Sequence, residues 1–378
     1  MAVAATMSFR WLVTGADAFR AVEEAIAAAT RTVRLEVYIY AESAVGRRVR
    51  DRLVEAATRG VQVRVLVDGV GSIRLPGSFW TPLIAAGGQV RVFNPISLKR
   101  FAVRDHRKLL VCDECVAIIG GFNIAPEYDG DGVKRGWCDL ALRVEGGPTE
   151  QLAASFDEMF ERAEFRHRRI LMLGKPSAKK LVPASAWQLL LSGPGWGRNP
   201  LLRMLHSDLA HAQDVRIIAA YFLPTLRLRH KLVRIARRGG KVRLVLPGKT
   251  DVQLSQLAAQ SLYTRLLRNG VEIYEYQPQI LHAKLLIIGD AVYVGSANLD
   301  PRSLRINYDL MVRFQDPALA EQARAVFDEL LSRSRRVELA EWRRSRSWWQ
   351  KLKQQLAYYL LVRVDPYIAA WQYRRMQR

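Results

Sequence analysis

Short apolar runs typical of β-strands alternate with amphipathic stretches along most of the chain, and this alternation occurs twice. In the first copy, apolar runs at residues 33–40 and 63–66 flank an amphipathic stretch that ends at Gly60. The second copy has matching apolar runs at residues 215–222 and 242–245, and its amphipathic stretch ends at Gly239. Amphipathic stretches that stop at a glycine predict helices, and short β-branched runs predict strands.

A second helix, glycine and strand follow in each copy, with Gly87 in the first and Gly270 in the second. The matched positions of the two copies are about 180 residues apart. Self-similarity over such a distance indicates an internal repeat. The alternation of strand and helix within each copy predicts a duplicated α/β domain with mainly mixed or parallel sheets.

Changes in composition predict the boundaries. Residues 166–200 contain clustered Lys, Arg, Gly and Pro residues, including the run Ser-Gly-Pro-Gly at 192–195, which is typical of a linker. After residue 336 the repeat pattern ends. We therefore predict a first domain at residues 1–165, a linker and the start of the second copy at 166–200, a second domain at 201–336 and a tail at 337–378.

Composition is that of a folded chain, with 49% hydrophobic and 25% charged residues among 378, and excludes a disordered or fibrous protein. The charge is unusual: 58 Lys and Arg against 36 Asp and Glu give a net charge of +22. Such an excess is compatible with nucleic acid, an anionic membrane or a phosphorylated substrate as partner. Residues 341–378 alone contain nine basic and two acidic side chains, so part of the excess belongs to the tail.

The three cysteines are too few for a disulfide framework, and we expect a reducing compartment. Cys112 and Cys115 have CxxC spacing, but no second pair of zinc ligands with suitable spacing occurs. Arg10 and Asp17 interrupt the early apolar residues, so we expect no secretory signal. No apolar run reaches the roughly 18 residues of a membrane-spanning helix. Any membrane contact is therefore expected to be peripheral.

Two motifs with the pattern His-x-Lys stand at equivalent places in the two copies. They are His106 with Lys108 and His282 with Lys284. Gly-Gly-Phe-Asn follows the first at 120–123, and Gly-Ser-Ala-Asn follows the second at 295–298. Residues i and i+2 of a strand share one face, so each His and Lys project into one site. The glycines suit a returning strand whose backbone approaches a ligand, and the asparagines add neutral donors.

These residues resemble the signature of the phospholipase D superfamily, H-x-K-x4-D with a downstream G-[GS]-x-N, present twice per chain. The resemblance covers roughly residues 15–335. Residues 123–128, 137–139 and 295–303 are most similar to the bacterial cardiolipin synthase branch. The resemblance implies an α/β fold of two duplicated α/β/α sandwich domains with pseudo-two-fold symmetry. It also implies an active site at the interface between the halves.

The chemistry of a phosphodiester explains these residue types. It needs a nucleophile and an acid, and histidine can serve as both because its pKa lies near neutrality. One neutral His attacks phosphorus to form a phosphohistidine, and the other protonates the departing alcohol. We assign the attack to His106 by analogy with related enzymes, although the sequence leaves this order open. The phosphate oxygens would be surrounded by Lys108, Lys284, Asn123 and Asn298.

Each His also needs an acidic partner that fixes its tautomer. Asp139 and Asp309 open apolar runs after the motifs and match the acidic position that the resemblance implies. Glu127 is a further candidate, with an ordinary surface carboxylate as the alternative. No other cluster of Asp, Glu or His has metal-ligand spacing, so we expect a metal-independent reaction without a cofactor.

The motif aspartates complete the catalytic set that the resemblance implies. The first motif has Asp113, whereas the second has Gly289 at the matching place and Asp290 one residue later. Both aspartates follow a predicted strand, near a turn. We therefore expect a structural role for Asp113, which Asp290 takes over in the second copy through a local shift.

The tail combines aromatic residues with cations. An apolar stripe recurs there at helical spacing, formed by Trp349, Leu352, Leu356, Tyr359 and Leu360. Lys351, Lys353 and Arg363 lie off this stripe, and Asp365-Pro366 ends the predicted helix. Such a helix suits the headgroup boundary of an anionic membrane. The alternative is that the stripe packs on the core of the protein.

The resemblance thus implies a phosphatidyltransferase, a cardiolipin synthase that joins two phosphatidylglycerol molecules and releases glycerol. The alternatives are a phospholipase D-type hydrolase, a nuclease whose charge serves the nucleic-acid backbone, and a degenerate lipid-binding scaffold. The aromatic and basic cluster lies in the tail and not beside the motifs, so we expect an anionic phospholipid membrane and no nucleic acid as partner. We expect a peripheral position on the cytoplasmic side of the cell membrane; the oligomeric state is not predicted.

Overall fold

The computed structural model describes residues 7–95, 102–163, 178–195 and 197–365. The first half contains β1 (Ser8–Leu12), α1 (Gly15–Ala28), β2 (Thr32–Val37), α2 (Ala44–Thr58), β3 (Gln62–Asp68), α3 (Thr81–Ala85), β4 (Gln89–Phe93), β5 (Leu109–Cys112), β6 (Val116–Gly120), β7 (Ala141–Glu145) and α4 (Thr149–Arg162). The second half contains β8 (Lys180–Pro183), β9 (Trp187–Ser192), α5 (Pro200–Asp208), β10 (Asp214–Ala219), α6 (Leu226–Arg237), β11 (Lys241–Pro247), α7 (Gln253–Leu267), β12 (Glu272–Tyr276), β13 (Lys284–Ile288), β14 (Ala291–Gly295), α8 (Pro301–Arg305), β15 (Asp309–Gln315), α9 (Pro317–Ser332) and β16 (Ser334–Arg336). Two tail helices follow, α10 (Leu339–Arg344) and α11 (Trp348–Tyr359).

Each half forms one sheet, and the two sheets have the same topology. The strand order β4-β3-β2-β5-β6-β7-β1 of the first sheet matches β12-β11-β10-β13-β14-β15-β9 of the second. In both, the first three strands are parallel and the others are antiparallel. The predicted duplicated α/β fold with mixed sheets is therefore confirmed.

Strands β8 and β16 extend the second sheet at its two edges. Residues 180–183, which have the composition of a linker, thus form strand β8. Pro183 is compatible with this position because an edge strand does not need every backbone donor for its ladder. Residues 187–192 of the same predicted segment form strand β9, whereas its residues 166–177 lie outside the described residues.

The predicted helix stops explain how each copy alternates between helix and strand. Gly60 after α2 has a φ of 89°, and Gly239 after α6 has a φ of 84°. A Cβ at either position would meet no atom within 4 Å, so the backbone angle and not crowding favours glycine there. At the other end of these helices, the side chains of Ser43 and Thr225 accept hydrogen bonds from backbone N–H groups of the first turn.

The two sheets share one apolar core. Helices of each half cover the outer faces of the sheets, with residues of α1 and α2 in one outer cluster and residues of α5, α6 and α7 in another. Between the sheets, Phe156 and Phe160 of α4 and Phe327 of α9 pack in one cluster with residues of both sheets. Burial of this shared surface holds the halves against each other. Side chains that lie far apart in the sequence can therefore meet at the interface.

The tail helix α11 packs on the second half but leaves its apolar stripe in solvent. Gln354 and Ala357 are buried on the side that faces the protein. The five stripe residues are between 41% and 59% exposed: Trp349, Leu352, Leu356, Tyr359 and Leu360. The neighbouring Trp348 is 61% exposed. The alternative that the stripe packs on the core is therefore wrong. Among the described residues, no helix combines the length and the apolar character needed to cross a bilayer.

Candidate active site

Both His-x-Lys motifs lie at the carboxyl ends of the parallel strands. In the first half, β5 pairs antiparallel with β2 so that Leu109 stands opposite Glu36, near the end of β2. In the second half, Lys284 stands opposite Ala219, the last residue of β10. The residues before β5 and β13 therefore lie at the edge of the sheet where α/β proteins bind their ligands.

Backbone bridges across the interface fix each motif against the other half. The backbone N–H of His106 donates to the carbonyl of Tyr308, at 2.9 Å. The backbone N–H of His282 donates to the carbonyl of Cys138, at 2.7 Å. The next residue after each acceptor is an aspartate of the predicted site. Each histidine is thereby placed beside an acidic residue of the opposite half.

The histidine–aspartate pairs are accordingly crossed. His106 Nδ1 lies 2.9 Å from Asp309 Oδ1, and His282 Nδ1 lies 2.6 Å from Asp139 Oδ2. All four side chains are buried or nearly so, with 11% of His106 and 6% of His282 exposed. Burial alone would raise the pKa of each carboxyl, but the attraction and hydrogen bond of its histidine, together with the charge of a motif lysine and further hydrogen bonds, outweigh this and the pKa is lowered. Both aspartates are therefore charged at neutral pH.

The electrostatics of the first motif keep its histidine neutral. Burial, together with the charge of Lys108, lowers the pKa of His106 to about 4, although Asp309 opposes this shift. Because Nδ1 donates to the ionised Asp309, the lone pair of His106 is on Nε2. Burial and the charge of Lys284 lower the pKa of Lys108 to about 7. The charge of Lys284 also lowers the pKa of His106, and the charge of Lys108 lowers that of His282, so the two motifs lie within electrostatic reach of each other.

The second motif is more tightly enclosed. Lys284 Nζ lies 3.0 Å from Nδ1 and 3.2 Å from Nε2 of His282, and it also donates to the carbonyl of the same residue. Burial and the charge of Lys284 lower the pKa of His282, against the opposing charge of Asp139. Burial likewise lowers the pKa of Lys284. Neighbouring cationic groups thus disfavour one another's charge in this site, which favours an anion as its ligand.

The two asparagines of the motifs are buried but differ in their contacts. Asn123 Oδ1 accepts a hydrogen bond from the N–H of Ile39, and its Nδ2 donates to the hydroxyl of Tyr128 at 2.7 Å. Asn298 Oδ1 has no hydrogen-bond partner among the described residues. A buried carbonyl oxygen without a partner is costly, so Asn298 Oδ1 is available to a hydrogen-bond donor of a ligand.

The glycine positions of the two motifs serve the aspartates. A Cβ at Gly121 would lie 2.0 Å from Oδ1 of Asp139. In the second half, the hydroxyl of Ser296 donates to Asp309 Oδ1 at 2.7 Å. We expected the second residue of the Gly-Gly or Gly-Ser pair to let a ligand approach, and this expectation is corrected. Gly121 leaves room for Asp139, and Ser296 binds Asp309, so both residues serve the aspartate that contacts the histidine of the opposite half. In the sequence, only the occurrence of a small residue at both places, Gly121 and Ser296, could have indicated this role.

Asp113 lies outside the cluster, at the opposite end of β5 from Lys108. Its carboxylate accepts hydrogen bonds from the backbone N–H groups of Thr30, Arg31 and Thr32, at 2.8 to 2.9 Å. It therefore ties the turn after β5 to the start of β2. Its position corrects the inclusion of Asp113 among the catalytic residues and agrees with the expected structural role.

Asp290 also lies outside the cluster, in the turn between β13 and β14. It is about half exposed and pairs with Arg324 at 2.9 Å. Gly289 adopts a φ of 58° in this turn, in a conformation that glycine allows without strain. Its carboxylate accepts no hydrogen bond from β10, a described strand, and binds Arg324 instead, so it neither belongs to the catalytic cluster nor replaces Asp113. Both expectations for Asp290 are corrected.

We predict that Asp290→Ala keeps turnover within about twofold of the wild type, because surface ion pairs contribute only about 0–1 kcal/mol. Asp113→Ala should lower the free energy of unfolding by about 1–3 kcal/mol, since it leaves backbone donors without their acceptor. Turnover assays and thermal unfolding of both variants test this. Complete loss of turnover in Asp290→Ala, with its stability unchanged, would show that Asp290 takes part in the reaction.

Several aromatic residues of the site were not predicted. The ring of Tyr38 lies 5.1 Å from that of His106, and Lys108 Nζ lies 5.2 Å from the centre of the Tyr38 ring. The Tyr128 hydroxyl lies 3.4 Å from His282 Nδ1 and so connects it to Asn123. In the sequence, only its position five residues after Asn123 could have indicated that Tyr128 belongs to the site. Glu127, the further candidate, is exposed.

The chain is similar to proteins of known family. A family model described as "Cardiolipin synthase, PLD-like domain" matches residues 22–162 and 205–331. Cardiolipin synthase B of Salmonella typhimurium is 32% identical over 372 residues, which cover 95% of this chain and 89% of that protein. The major cardiolipin synthase ClsA of Bacillus subtilis is 30% identical over 353 residues, which cover 91% and 72%.

Solved structures share the fold. A phosphatidylserine synthase from Haemophilus influenzae Rd KW20 superimposes with a TM-score of 0.73 at 14% identity, over 96% of this chain and 95% of that one. A polyphosphate kinase from Porphyromonas gingivalis gives a TM-score of 0.59 at 14% identity, over 89% of this chain and 49% of that one. At this level of identity the similarity concerns the fold alone.

Proposed function

The chain belongs to the cardiolipin synthase family of phospholipase D-like proteins and is a phosphatidyltransferase; we propose that it joins two phosphatidylglycerol molecules and releases glycerol. The observation that carries this proposal is the pair of crossed histidine–aspartate contacts around one buried cationic site. Such a site offers a nucleophile, an acid and cations to one phosphodiester. Retention of both pairs also disfavours a degenerate scaffold.

In the first proposed step, His106 Nε2 attacks the phosphorus of the donor lipid. The N–P bond forms as the bond between phosphorus and the glycerol oxygen breaks, and His282 donates a proton to the departing glycerol. Burial lowers the pKa of His282, but the negative charge of a bound phosphodiester would favour its protonation. Asp139 stabilises the charged imidazole through Nδ1.

In the second step the roles reverse. His282, now neutral, takes a proton from the free glycerol hydroxyl of a second phosphatidylglycerol, whose oxygen attacks phosphorus and releases His106. Lys108, Lys284, Asn123 and Asn298 would stabilise the charge on the equatorial phosphate oxygens in both steps. Water in place of the second lipid would give hydrolysis, which is the reaction of the alternative function.

Two observations support a lipid as substrate. Relatives named cardiolipin synthases are 30% to 32% identical to this chain over more than nine-tenths of its length. The exposed stripe of α11 also gives the protein an apolar surface, which a nuclease does not need. We propose that this stripe lies at the headgroup boundary of the membrane, on its cytoplasmic side, and that the protein is peripheral.

The function is tested with purified protein and phosphatidylglycerol vesicles. We expect cardiolipin and glycerol in equal amounts, detected by mass spectrometry and an enzymatic glycerol assay. Phosphatidic acid without cardiolipin would show that the protein is a hydrolase. Cleavage of DNA without any lipid product would show that it is a nuclease.

The position on the membrane is tested by changing the stripe. Leu352→Ser with Leu356→Ser should weaken co-sedimentation with phosphatidylglycerol vesicles by about tenfold or more, since two leucine side chains no longer enter the apolar region. The matched control is Ile84→Ser with Val92→Ser, which changes two exposed apolar residues of the first half. Equal binding of the two double variants and the wild type would mean that the stripe does not meet the membrane.

A further inference from the structure

A basic pocket lies between the tail helices and α7, on the outer side of the second sheet. It has a volume of about 420 Å³ and is lined by residues of α7, α10 and α11 and the segments beside them. We define the basic pocket by its cationic and polar side chains: Arg268, Arg343, Arg346, Lys351, Gln355 and Thr264. No carboxylate is among the residues that line it.

The positive charge of the basic pocket is not neutralised by the protein. In the part of the chain that the structure describes, Arg268, Arg343, Arg346 and Lys351 form no ion pair. Nearby cations behave differently: Arg335, just before α10, lies within ion-pair distance of Glu275 and Glu341. Four cations around one concavity without a carboxylate repel one another unless an anion binds between them.

One of these cations is held in place by neutral groups. Arg346 donates to Gln354 Oε1 at 2.8 Å and to Thr264 Oγ1 at 2.6 Å, and its guanidinium lies 4.4 Å from the centre of the Trp342 ring. Gln354 is itself buried. These contacts orient the guanidinium without cancelling its charge. A guanidinium oriented by hydrogen bonds, beside the exposed cations Arg268, Arg343 and Lys351, is an arrangement suited to a phosphate group.

The apolar stripe of α11 borders the basic pocket. Lys351 and Gln355 line the pocket and lie one turn apart on the helix. The residues that follow them, Leu352 and Leu356, are 41% and 54% exposed and belong to the stripe. A molecule with an anionic head and apolar chains could therefore place its head in the pocket and its chains along the stripe.

The basic pocket is separate from the catalytic cluster. It contacts the carboxyl-terminal half of α7, away from the edge of the sheet where the histidines lie. From Lys351 the tail runs roughly 20 Å, at 1.5 Å per residue, to Asp365. There Asp365 binds Arg302 of α8 through two hydrogen bonds of 2.7 and 2.8 Å. Arg302 follows the second Asn motif, so the tail connects the pocket with the surroundings of the active site.

We propose that the basic pocket binds the phosphate of an anionic phospholipid headgroup, as a second lipid site that is not a site of reaction. The lipid would hold α11 on the membrane surface while the far end of the tail stays beside the catalytic half-site. This rests on the membrane association proposed above, but not on the reaction that the enzyme catalyses.

The test compares two double variants of the full chain that remove the same charge from the same two helices. Arg343→Gln with Lys351→Gln changes the basic pocket, whereas Arg344→Gln with Lys353→Gln changes exposed cations that do not line it. Affinity is measured by co-sedimentation with vesicles of phosphatidylglycerol in phosphatidylcholine. We expect the pocket variant to lose at least tenfold more affinity than its control, with both variants equal on pure phosphatidylcholine.

Two further measurements identify the ligand. Turnover of a short-chain, soluble phosphatidylglycerol should be the same in both variants, which separates the basic pocket from the catalytic function. Inorganic phosphate and single-stranded DNA are titrated into the same proteins. Equal loss of vesicle affinity in the two variants would overturn the proposal, because net charge alone would then explain binding. Loss of phosphate or DNA binding with vesicle affinity intact would also overturn it, since the ligand would not be a lipid.

Discussion

His106→Ala and His282→Ala should each reduce turnover on phosphatidylglycerol by about 10³-fold or more, because the reaction loses its nucleophile or its acid and base. The effect should be much larger than that of any other single substitution in the site except those of the crossed aspartates. His230→Ala is the matched control. His230 lies on α6, where its ring contacts the exposed Arg265, and its loss should leave turnover close to that of the wild type.

A donor with a good leaving group separates the two histidines. Phosphatidyl-p-nitrophenol does not need a proton from the enzyme to release its alcohol, so it tests the nucleophile alone. His282→Ala should release one equivalent of p-nitrophenolate in a burst and keep the phosphatidyl label on His106. His106→Ala should give neither burst nor label. A label on His282 in the His106→Ala variant would reverse the assignment of the two roles.

Asp309→Asn should reduce turnover by about 10²- to 10⁴-fold while leaving the fold intact, because a neutral amide no longer selects the tautomer with the lone pair on Nε2. Asp309 contacts His106 from the opposite half of the protein. If the crossed contacts act in the reaction, Asp309→Asn slows the burst with phosphatidyl-p-nitrophenol. Asp139→Asn leaves this burst nearly unchanged and slows the transfer to the second lipid, which depends on His282.

The pH profile distinguishes a positioning role from general damage. Burial lowers the pKa of His106, and the charge of Asp309 partly opposes this effect, so that the pKa is about 4. Without that charge the pKa would be lower still. With Asp309→Asn the pKa of His106 should fall further, and the acidic limb of kcat/KM should move to lower pH. A profile that keeps its wild-type midpoint, with a rate reduced equally at every pH, would indicate that Asp309 has only a structural role.

The candidate site could be predicted from sequence where neighbouring residues determine it. His106 and Lys108 project together because alternate residues of a strand share a face, and the same holds for His282 and Lys284. The helix ends at Gly60 and Gly239 could also be predicted locally, since glycine itself permits the positive φ angle that is found there. Local patterns were less informative about Asp290, because the sequence does not show where a turn residue points.

The crossed contacts could not be read from the sequence, which predicted Asp139 and Asp309 as acidic partners without showing which histidine each would serve. His106 and Asp309 meet because β-bridges at Tyr308 and Cys138 join the halves and because a shared core holds the sheets together. These contacts join residues more than 140 positions apart. Pairings over such distances depend on how whole surfaces pack, and no short pattern specifies them.

By itself, the sequence determined the repeat, the mixed α/β fold, the two His-x-Lys motifs and the amphipathic character of the tail. These follow from the periodicity of strands and helices and from the conformational range of glycine, which act over a few residues. Only the tertiary structure decided which aspartate serves which histidine, that Asp113 and Asp290 lie outside the site, and that the stripe of α11 faces solvent. The periodicity of an apolar stripe is the same whether it packs on a core or on a membrane. In this protein Gln354 and Ala357, on the other side of α11, are buried against the second half, and the stripe therefore faces solvent.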